Sequence, residues 1–361
     1  MFSPLFFRNP AFLSSFLSPY SLRRSFFLLH HFPLHHHHIT MLRHQILTFA
    51  AARTNKLPLS VGHRGASEQW PENSIISMAQ AVKDGADGLE GDLHLTADGE
   101  IIVMHDPSLD RTTNGTGMIK DRPWHGYIDG LKSKKEPHVG VPRCIDVLAF
   151  LAQDGNEKVW WNIDIKMNNS PWLLLSMFSK LIEDHFPGRD FSSQIVLGLW
   201  HPKFLAAADK YLPRFSRVHI GFSLPIAREH FPPSTVDGYS INFMVLSTPA
   251  GRQFVKDMQA AGKKIMTWTV NDPVEAREAV KMGVDYILTD RTKVLSNVLH
   301  EFETLGNDGV ELKYAAEAFD TWSRWSKYAF WRTLIWMFLT VKFNSATKQL
   351  DLEPEEKILV K

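Results

Sequence analysis

The sequence predicts an α/β fold in which a mainly parallel sheet, open or closed, is covered by helices. From residue 56 to about residue 300, short β-rich runs alternate with helix-like stretches, the pattern left by repeated strand-helix units. With 44% hydrophobic and 22% charged residues, the chain can bury a substantial core. Its 361 residues leave room for a single barrel of about 250 residues plus two tails. No internal repeat is present, so a solenoid is not expected.

The strand candidates in order are 59–63, 88–95, 101–104, 159–165, 194–199, 218–222, 239–243, 264–270 and 285–288. Helical runs are expected over 74–84, 171–184, 252–261 and 273–282. Nine strands are one too many for an eight-stranded closed barrel. Asp98-Gly99 is a hairpin dipeptide, so the strands on either side of it should pair antiparallel and one of them should stand outside the parallel set. Thr112-Thr-Asn-Gly-Thr-Gly117 reads as a mobile loop near the site or as a plain turn cluster.

Composition divides the chain into three regions: a leader or doubtful extension over 1–55, the α/β domain over 56–300, and a connector with a tail over 301–361. The first 67 residues carry no Asp or Glu but several Arg, many Phe and Ser, which is transit-peptide composition and would direct the chain toward mitochondria if translated. Met41 offers a second start that would remove most of it, together with its His-rich tract. The tail crowds Trp322, Trp325, Tyr328, Trp331 and Trp336 among Arg324, Lys327, Arg332, Lys342 and Lys348, and between Asp320 and Asp351 every charge is positive. Only nine residues separate Arg332 from Lys342, about 14 Å of helix at about 1.5 Å per residue, against a hydrocarbon core of about 30 Å. The tail is therefore expected to lie in one leaflet of an anionic surface rather than to cross it. A net charge of +1 gives no footprint for nucleic acid. One cysteine, Cys144, excludes an internal disulfide and a thiolate zinc site. Nucleotide-binding glycine loops and the serine-hydrolase elbow are absent.

Four constellations carry chemistry. Val61-Gly-His63-Arg64-Gly65 ends a strand in a titratable imidazole beside a permanent cation, a pairing suited to proton transfer next to an anion. Glu90 and Asp92 stand two apart on the next strand and therefore share a face. Two carboxylates on an inward face require a cation, and all-oxygen ligation selects Mg²⁺ or Ca²⁺. His105 ends the apolar run 101–104, and Asp164 and Lys166 repeat the inward spacing, with Asp164 able to complete a metal site and Lys166 able to meet phosphate.

These residues belong to a longer ordered series: Gly62 to Ala66, Pro71-Glu-Asn73, Glu90-x-Asp92, Thr96 to Gly99, His105-Asp-Pro, Leu109 to Gly117, Asp164-x-Lys166, Trp268 to Asn271 and Ile287 to Asp290. The series resembles the glycerophosphodiester phosphodiesterase family. Within it, Gly198-Leu-Trp200, Ile220 to Leu224, Ser240 to Phe243 and the aromatic tail are most similar to the fungal phosphatidylglycerol-specific phospholipase C. The resemblance implies a TIM (β/α)8 barrel with a small loop insertion and a bound divalent cation. It makes His63 and His105 the acid-base pair, Glu90, Asp92 and Asp164 the metal ligands, and Arg64, Lys166 and Trp268 the phosphate- and substrate-binding groups. Many members carry Glu where Asp164 stands.

The expected activity is phosphodiester hydrolysis of phosphatidylglycerol to diacylglycerol and glycerol phosphate at a membrane, whether lipid droplet, endoplasmic reticulum or mitochondrial surface. The alternatives are a soluble enzyme releasing glycerol 3-phosphate and an alcohol from deacylated diesters, and a non-catalytic lipid-binding barrel. Either water or the headgroup 2-hydroxyl serves as nucleophile.

Overall fold

The computed structural model describes residues 57–315; the leader and the aromatic tail lie outside the described residues. All nine strand candidates form: β1 (Leu59–Gly62), β2 (Gly88–Leu95), β3 (Ile101–Val103), β4 (Trp160–Ile165), β5 (Ile195–Leu199), β6 (Ser216–Gly221), β7 (Gly238–Asn242), β8 (Lys264–Trp268) and β9 (Tyr286–Thr289). Eight of them run parallel in the order β1, β2, β4 to β9, and β1 pairs with both β2 and β9, so the sheet closes into a barrel. The extra strand is β3, antiparallel to β2 with Leu95 opposite Ile101. The turn between them is held by Asp98, whose carboxylate accepts from Thr96 Oγ1 and from the amides of Trp124 and His125.

The covering helices are α1 (Ile75–Lys83), α2 (Cys144–Leu151), α3 (Pro171–His185), α4 (Leu205–Tyr211), α5 (Leu224–His230), α6 (Phe243–Leu246), α7 (Pro249–Ala260), α8 (Pro273–Met282) and α9 (Thr292–Lys313). Their starts are written locally. Proline opens α3, α7 and α8, and Ser74, Thr248 and Asp272 cap the free amides of Ser77, Gly251 and Val274. The sequence did not mark α2, α4, α5 or α6 as helices. Each spans eight residues or fewer, and α2 (CIDVLAFL) is apolar on nearly every side, so no helical period stands out. The last helix runs past residue 300 to Lys313, with a break in helical geometry at Gly306. No helix among the described residues is long and apolar enough to cross a membrane.

Two apolar layers build the domain. The larger packs the outer face of the barrel, including Leu89, Ile163 and Ile241, against helix residues such as Met78, Phe178 and Phe254. The smaller fills the barrel floor with Val61, Trp160, Val196, Val218, Met266, Tyr286 and Leu288, and Trp160 meets Tyr286 edge-on at 5.2 Å. Inward positions then turn polar toward the carboxyl ends of the strands. Trp160 gives way to Asn162, Asp164 and Lys166, and Tyr286 to Leu288 and Asp290, by steps of two. That gradient places the charges at one mouth, where barrel enzymes hold their sites. Between β3 and α2, residues 104–143 form the expected insertion, packed on its own small core of Ile102, Met104, Leu109, Ile119 and Ile128. The stretch from Thr112 to Gly117 is bonded into it: Thr113 Oγ1 donates to Leu109 O, and the Asn114 side chain accepts from the Lys132 amide.

Candidate active site

β1 ends in a sharp turn. Arg64 takes a φ of 58° and Gly65 one of 82°. A Cβ on Gly65 would come within 2.3 Å of Ser77 Oγ, so only glycine allows this approach of the turn to α1. The turn points His63 into the barrel and sends the Arg64 amide to Glu90 Oε2 at 2.9 Å. His63 Nδ1 donates to Asp290 Oδ1 at 2.7 Å, which leaves Nε2 on the side of Glu90 Oε2, 4.0 Å away. Asp290 is held by Ser67 Oγ and Asn271 Nδ2 as well, and although burial opposes its charge, these donors keep its carboxyl well below the usual range.

His105 has the same arrangement in a different loop. Its Nδ1 donates to Asp106 Oδ1 at 2.8 Å. Burial lowers its pKa, partly offset by the charge of Asp92. Its carbonyl accepts from buried His94 Nε2 at 3.2 Å, which ties the end of β3 to β2. Arg111 holds Asp106 and reaches back to Glu72, and Glu72 also accepts from Arg64 Nη1 at 3.0 Å. A continuous ionic chain therefore joins the two histidine loops.

Between the histidines, Glu90, Asp92 and Asp164 are buried and present oxygens within 4.8 Å of one another. The pairing of β2 with β4 sets Asp92 beside Asp164. Lys166 Nζ lies 2.6 Å from Asp92 Oδ1 and 2.8 Å from Asp164 Oδ2, Trp200 Nε1 donates to Asp164 Oδ1 at 2.7 Å, and Asn73 Nδ2 donates to Asp92 Oδ2 at 2.7 Å. Burial, and after it the charges of Asp92 and Asp164, push the Glu90 carboxyl well above its usual range. Asp92 is also opposed by burial, but Lys166 and Arg64 hold it far below. Three carboxylates thus face two cations, Lys166 and Arg64, and Arg64 is shared with Glu72. The uncompensated negative charge and an all-oxygen donor set fit a hard divalent cation.

A cavity of about 190 Å³ opens above this cluster, and His63, Arg64, Glu90, His105, Asp164 and Lys166 all line it. Asp92 sits behind Lys166. Trp268 faces the charged side from across the cavity, edge-on to Phe222 at 4.7 Å and to Trp200 at 5.7 Å. A second cavity of about 240 Å³ lies on the other side of His105, under the insertion, and includes neither Glu90 nor Asp164. The chemistry belongs to the smaller one, because the carboxylates and both histidines converge there.

The structure therefore brings all eight residues picked out in the sequence to one barrel mouth. Sequence reasoning assigned no role to Asp290, Asp106, Glu72, Arg111, Asn73 or Trp200. All six lay inside the motifs that carry the resemblance, which was the available signal; what each one holds depends on contacts between distant loops.

A family model described as the glycerophosphoryl diester phosphodiesterase family matches residues 63–294, well over half of the chain. A glycerophosphodiester phosphodiesterase of Caldanaerobacter subterraneus subsp. tengcongensis is 28% identical over 248 residues, covering 67% of this chain and 98% of the relative. Glycerophosphodiester phosphodiesterase 1 of Bos taurus is 29% identical over 242 residues, 59% of this chain and 71% of the relative. Among solved structures, a glycerophosphodiester phosphodiesterase from Agrobacterium tumefaciens superposes with a TM-score of 0.55 at 25% identity, over 67% of this chain and all of its own. An Oleispira antarctica phosphodiesterase in complex with the product sn-glycerol-3-phosphate shares the fold, with a TM-score of 0.59 at 23% identity over 68% of this chain and 97% of its own.

Proposed function

The chain belongs to the glycerophosphoryl diester phosphodiesterase family, a family of phosphoric diester hydrolases, and from that premise we propose that it hydrolyses glycerophosphodiesters to glycerol 3-phosphate and an alcohol. The observation that carries this reading is the pair of histidines, each with Nδ1 bonded to a carboxylate, lining one cavity with a buried acidic cluster and two cations. An imidazole fixed through Nδ1 offers Nε2 for proton transfer. One histidine takes the proton of the attacking hydroxyl or water, and the other gives a proton to the departing oxygen, each step contributing roughly 10² to 10⁴-fold. Arg64 and Lys166 orient the phosphate, Arg64 through a planar fork and Lys166 as a point charge. Glu90, Asp92 and Asp164 would hold Mg²⁺ or Ca²⁺, which when bound supplies positive charge for the nonbridging oxygens. Trp268, with Trp200 and Phe222, excludes water from one side of the cavity.

A second reading is favoured by the sequence beyond residue 320. Its tryptophans and uniformly positive charges suit an anionic lipid surface, where the substrate would be phosphatidylglycerol and the products diacylglycerol and glycerol phosphate. The protein would then be bound to a lipid droplet, endoplasmic reticulum or mitochondrial surface. Both readings use the same site and differ in substrate. Headgroup release from glycerophosphocholine, from phosphatidylglycerol vesicles and from other phospholipids, with and without chelator, decides between them. Turnover of the deacylated diester alone supports the first, and turnover of phosphatidylglycerol, lost from vesicles on deleting residues 321–361, supports the second. No release from any of them would refute both.

A further inference from the structure

The lower part of the catalytic cavity carries polar side chains that the chemistry described above does not use. Asn162 is fully buried on β4, two residues before Asp164 and on the same inward face, and neither its Oδ1 nor its Nδ2 has a hydrogen-bond partner among the described residues. Ser240, 1% exposed on the inward face of β7, has an Oγ in the same condition. Both residues line the cavity that holds His63, Glu90 and Lys166. Buried amides and hydroxyls are rarely left unpaired, and each exception calls for a partner such as an ordered water, an ion or a ligand. Neither group carries charge, so what they suit is neutral and can both donate and accept. The aromatic wall of Trp200, Phe222 and Trp268 beside them suits the C–H surface of a small carbon skeleton.

We infer that Asn162 and Ser240 bind the hydroxyl groups of the glycerol fragment that stays on the phosphate, and so set the specificity of the site for a polyol ester over a plain alkyl ester. A fragment without hydroxyls would fill the same space and leave both polar side chains unpaired, which is how a hydrogen-bonding site rejects an analogue lacking the group. This assignment rests on the family reading of the site.

Glycerol 3-phosphate and n-propyl phosphate share a phosphate and three carbons and differ in two hydroxyls, so they isolate the contribution. In calorimetric titrations of the full chain in Mg²⁺ buffer, the wild type should prefer glycerol 3-phosphate by at least about tenfold, about 1.4 kcal/mol. Asn162→Leu and Ser240→Ala should each cut that preference to about threefold or less by weakening glycerol 3-phosphate alone. The assignment is wrong if the preference survives both substitutions, or if the two ligands weaken in parallel. It is also wrong if Asn162→Leu instead lowers the affinity for the cation, because Asn162 would then act on Glu90, its neighbour in register on β2. Ser240→Ala removes a single atom, so it decides the matter if Asn162→Leu does not fold by circular dichroism. Ligand preference and turnover separate the two claims. A preference that depends on these residues without diester hydrolysis would overturn the family reading of activity, and hydrolysis with a preference indifferent to them would overturn this one.

Discussion

His63 and Asp290 are 227 residues apart in the chain, yet His63 Nδ1 lies 2.7 Å from Asp290 Oδ1. They follow directly on Gly62 and Thr289, which face each other in the β1–β9 pairing that closes the barrel. Closure is thus what fixes the imidazole, and Asp290 is a positioning residue for it. Asp290→Asn keeps the shape but removes the charge and turns one of two accepting oxygens into a donor, so the hold on the Nδ1–H tautomer is weakened. Activity should fall by about tenfold or more at neutral pH, with kcat lowered and KM for the diester nearly unchanged, because the imidazole is no longer held for proton transfer. An unchanged kcat would mean that Asp290 only braces Ser67 and Asn271.

His63→Ala and His105→Ala should each lower kcat by roughly 10² to 10⁴-fold, with circular dichroism and melting temperature near those of the wild type. Neither side chain fills the apolar core, and both line the cavity. Retention of a tenth or more of the activity by either folded variant would remove it from the proton-transfer pair.

How much of this was legible in sequence depended on distance along the chain. Glu90 with Asp92 and Asp164 with Lys166 stand two apart on strands, so their common face follows from strand geometry alone. The antiparallel β3 was readable from Asp98-Gly99 for the same reason: a hairpin is local. Asp290 was not assignable, because nothing within its own segment says that β9 will meet β1. Glu72 was equally silent. It lies in a loop, and its value comes from two arginines, one 8 and one 39 residues away, that converge on it. Asn162 reads as an ordinary polar residue on a strand until the barrel shows that its face points inward with nothing to bond.

Acid stability should depend on a histidine far from the chemistry. His219 points from β6 into the layer beneath α5, where it stacks on Phe231 at 4.0 Å and its Nδ1 donates to Leu199 O at 3.1 Å. Its Nε2 is closely covered: a Cβ on Gly221 would come within 2.6 Å of it. Burial pushes its pKa down to about 3 from 6.5. Between those values the unfolded chain binds a proton that the folded chain does not, so stability falls as pH drops below about 6.5, by about 1.4 kcal/mol per pH unit at most. The depressed carboxylates Asp106 and Asp290 act only below about pH 4, so they do not contribute to this window. Urea unfolding at pH 7, 6 and 5 should show a shallower loss for His219→Gln than for the wild type. Parallel slopes would show that His219 takes up its proton in the folded state.

Metal dependence can be separated from structural damage by comparing two carboxylates of the same cluster. Glu90 is pushed toward its neutral form by burial and by its two acidic neighbours, so in chelator Glu90→Gln removes a repulsion and should change stability by no more than about 1 kcal/mol. Asp92 is in the opposite position, since it lies 2.6 Å from buried Lys166 and accepts from Asn73. Asp92→Asn therefore removes one of the two carboxylates that hold buried Lys166, and in chelator it should destabilise by about 1 to 3 kcal/mol, with Asp164 left as the remaining partner. Cation binding to the wild type should raise the melting temperature, because a ligand at about 100 times its Kd adds about 2.7 kcal/mol to the folded state. Both variants should lose that rise, and chelator should abolish wild-type hydrolysis until Mg²⁺ or Ca²⁺ is returned. If Glu90→Gln kept the full cation-induced shift, the ion would have to bind elsewhere, and the three carboxylates would be only the counter-charge for Lys166 and Arg64.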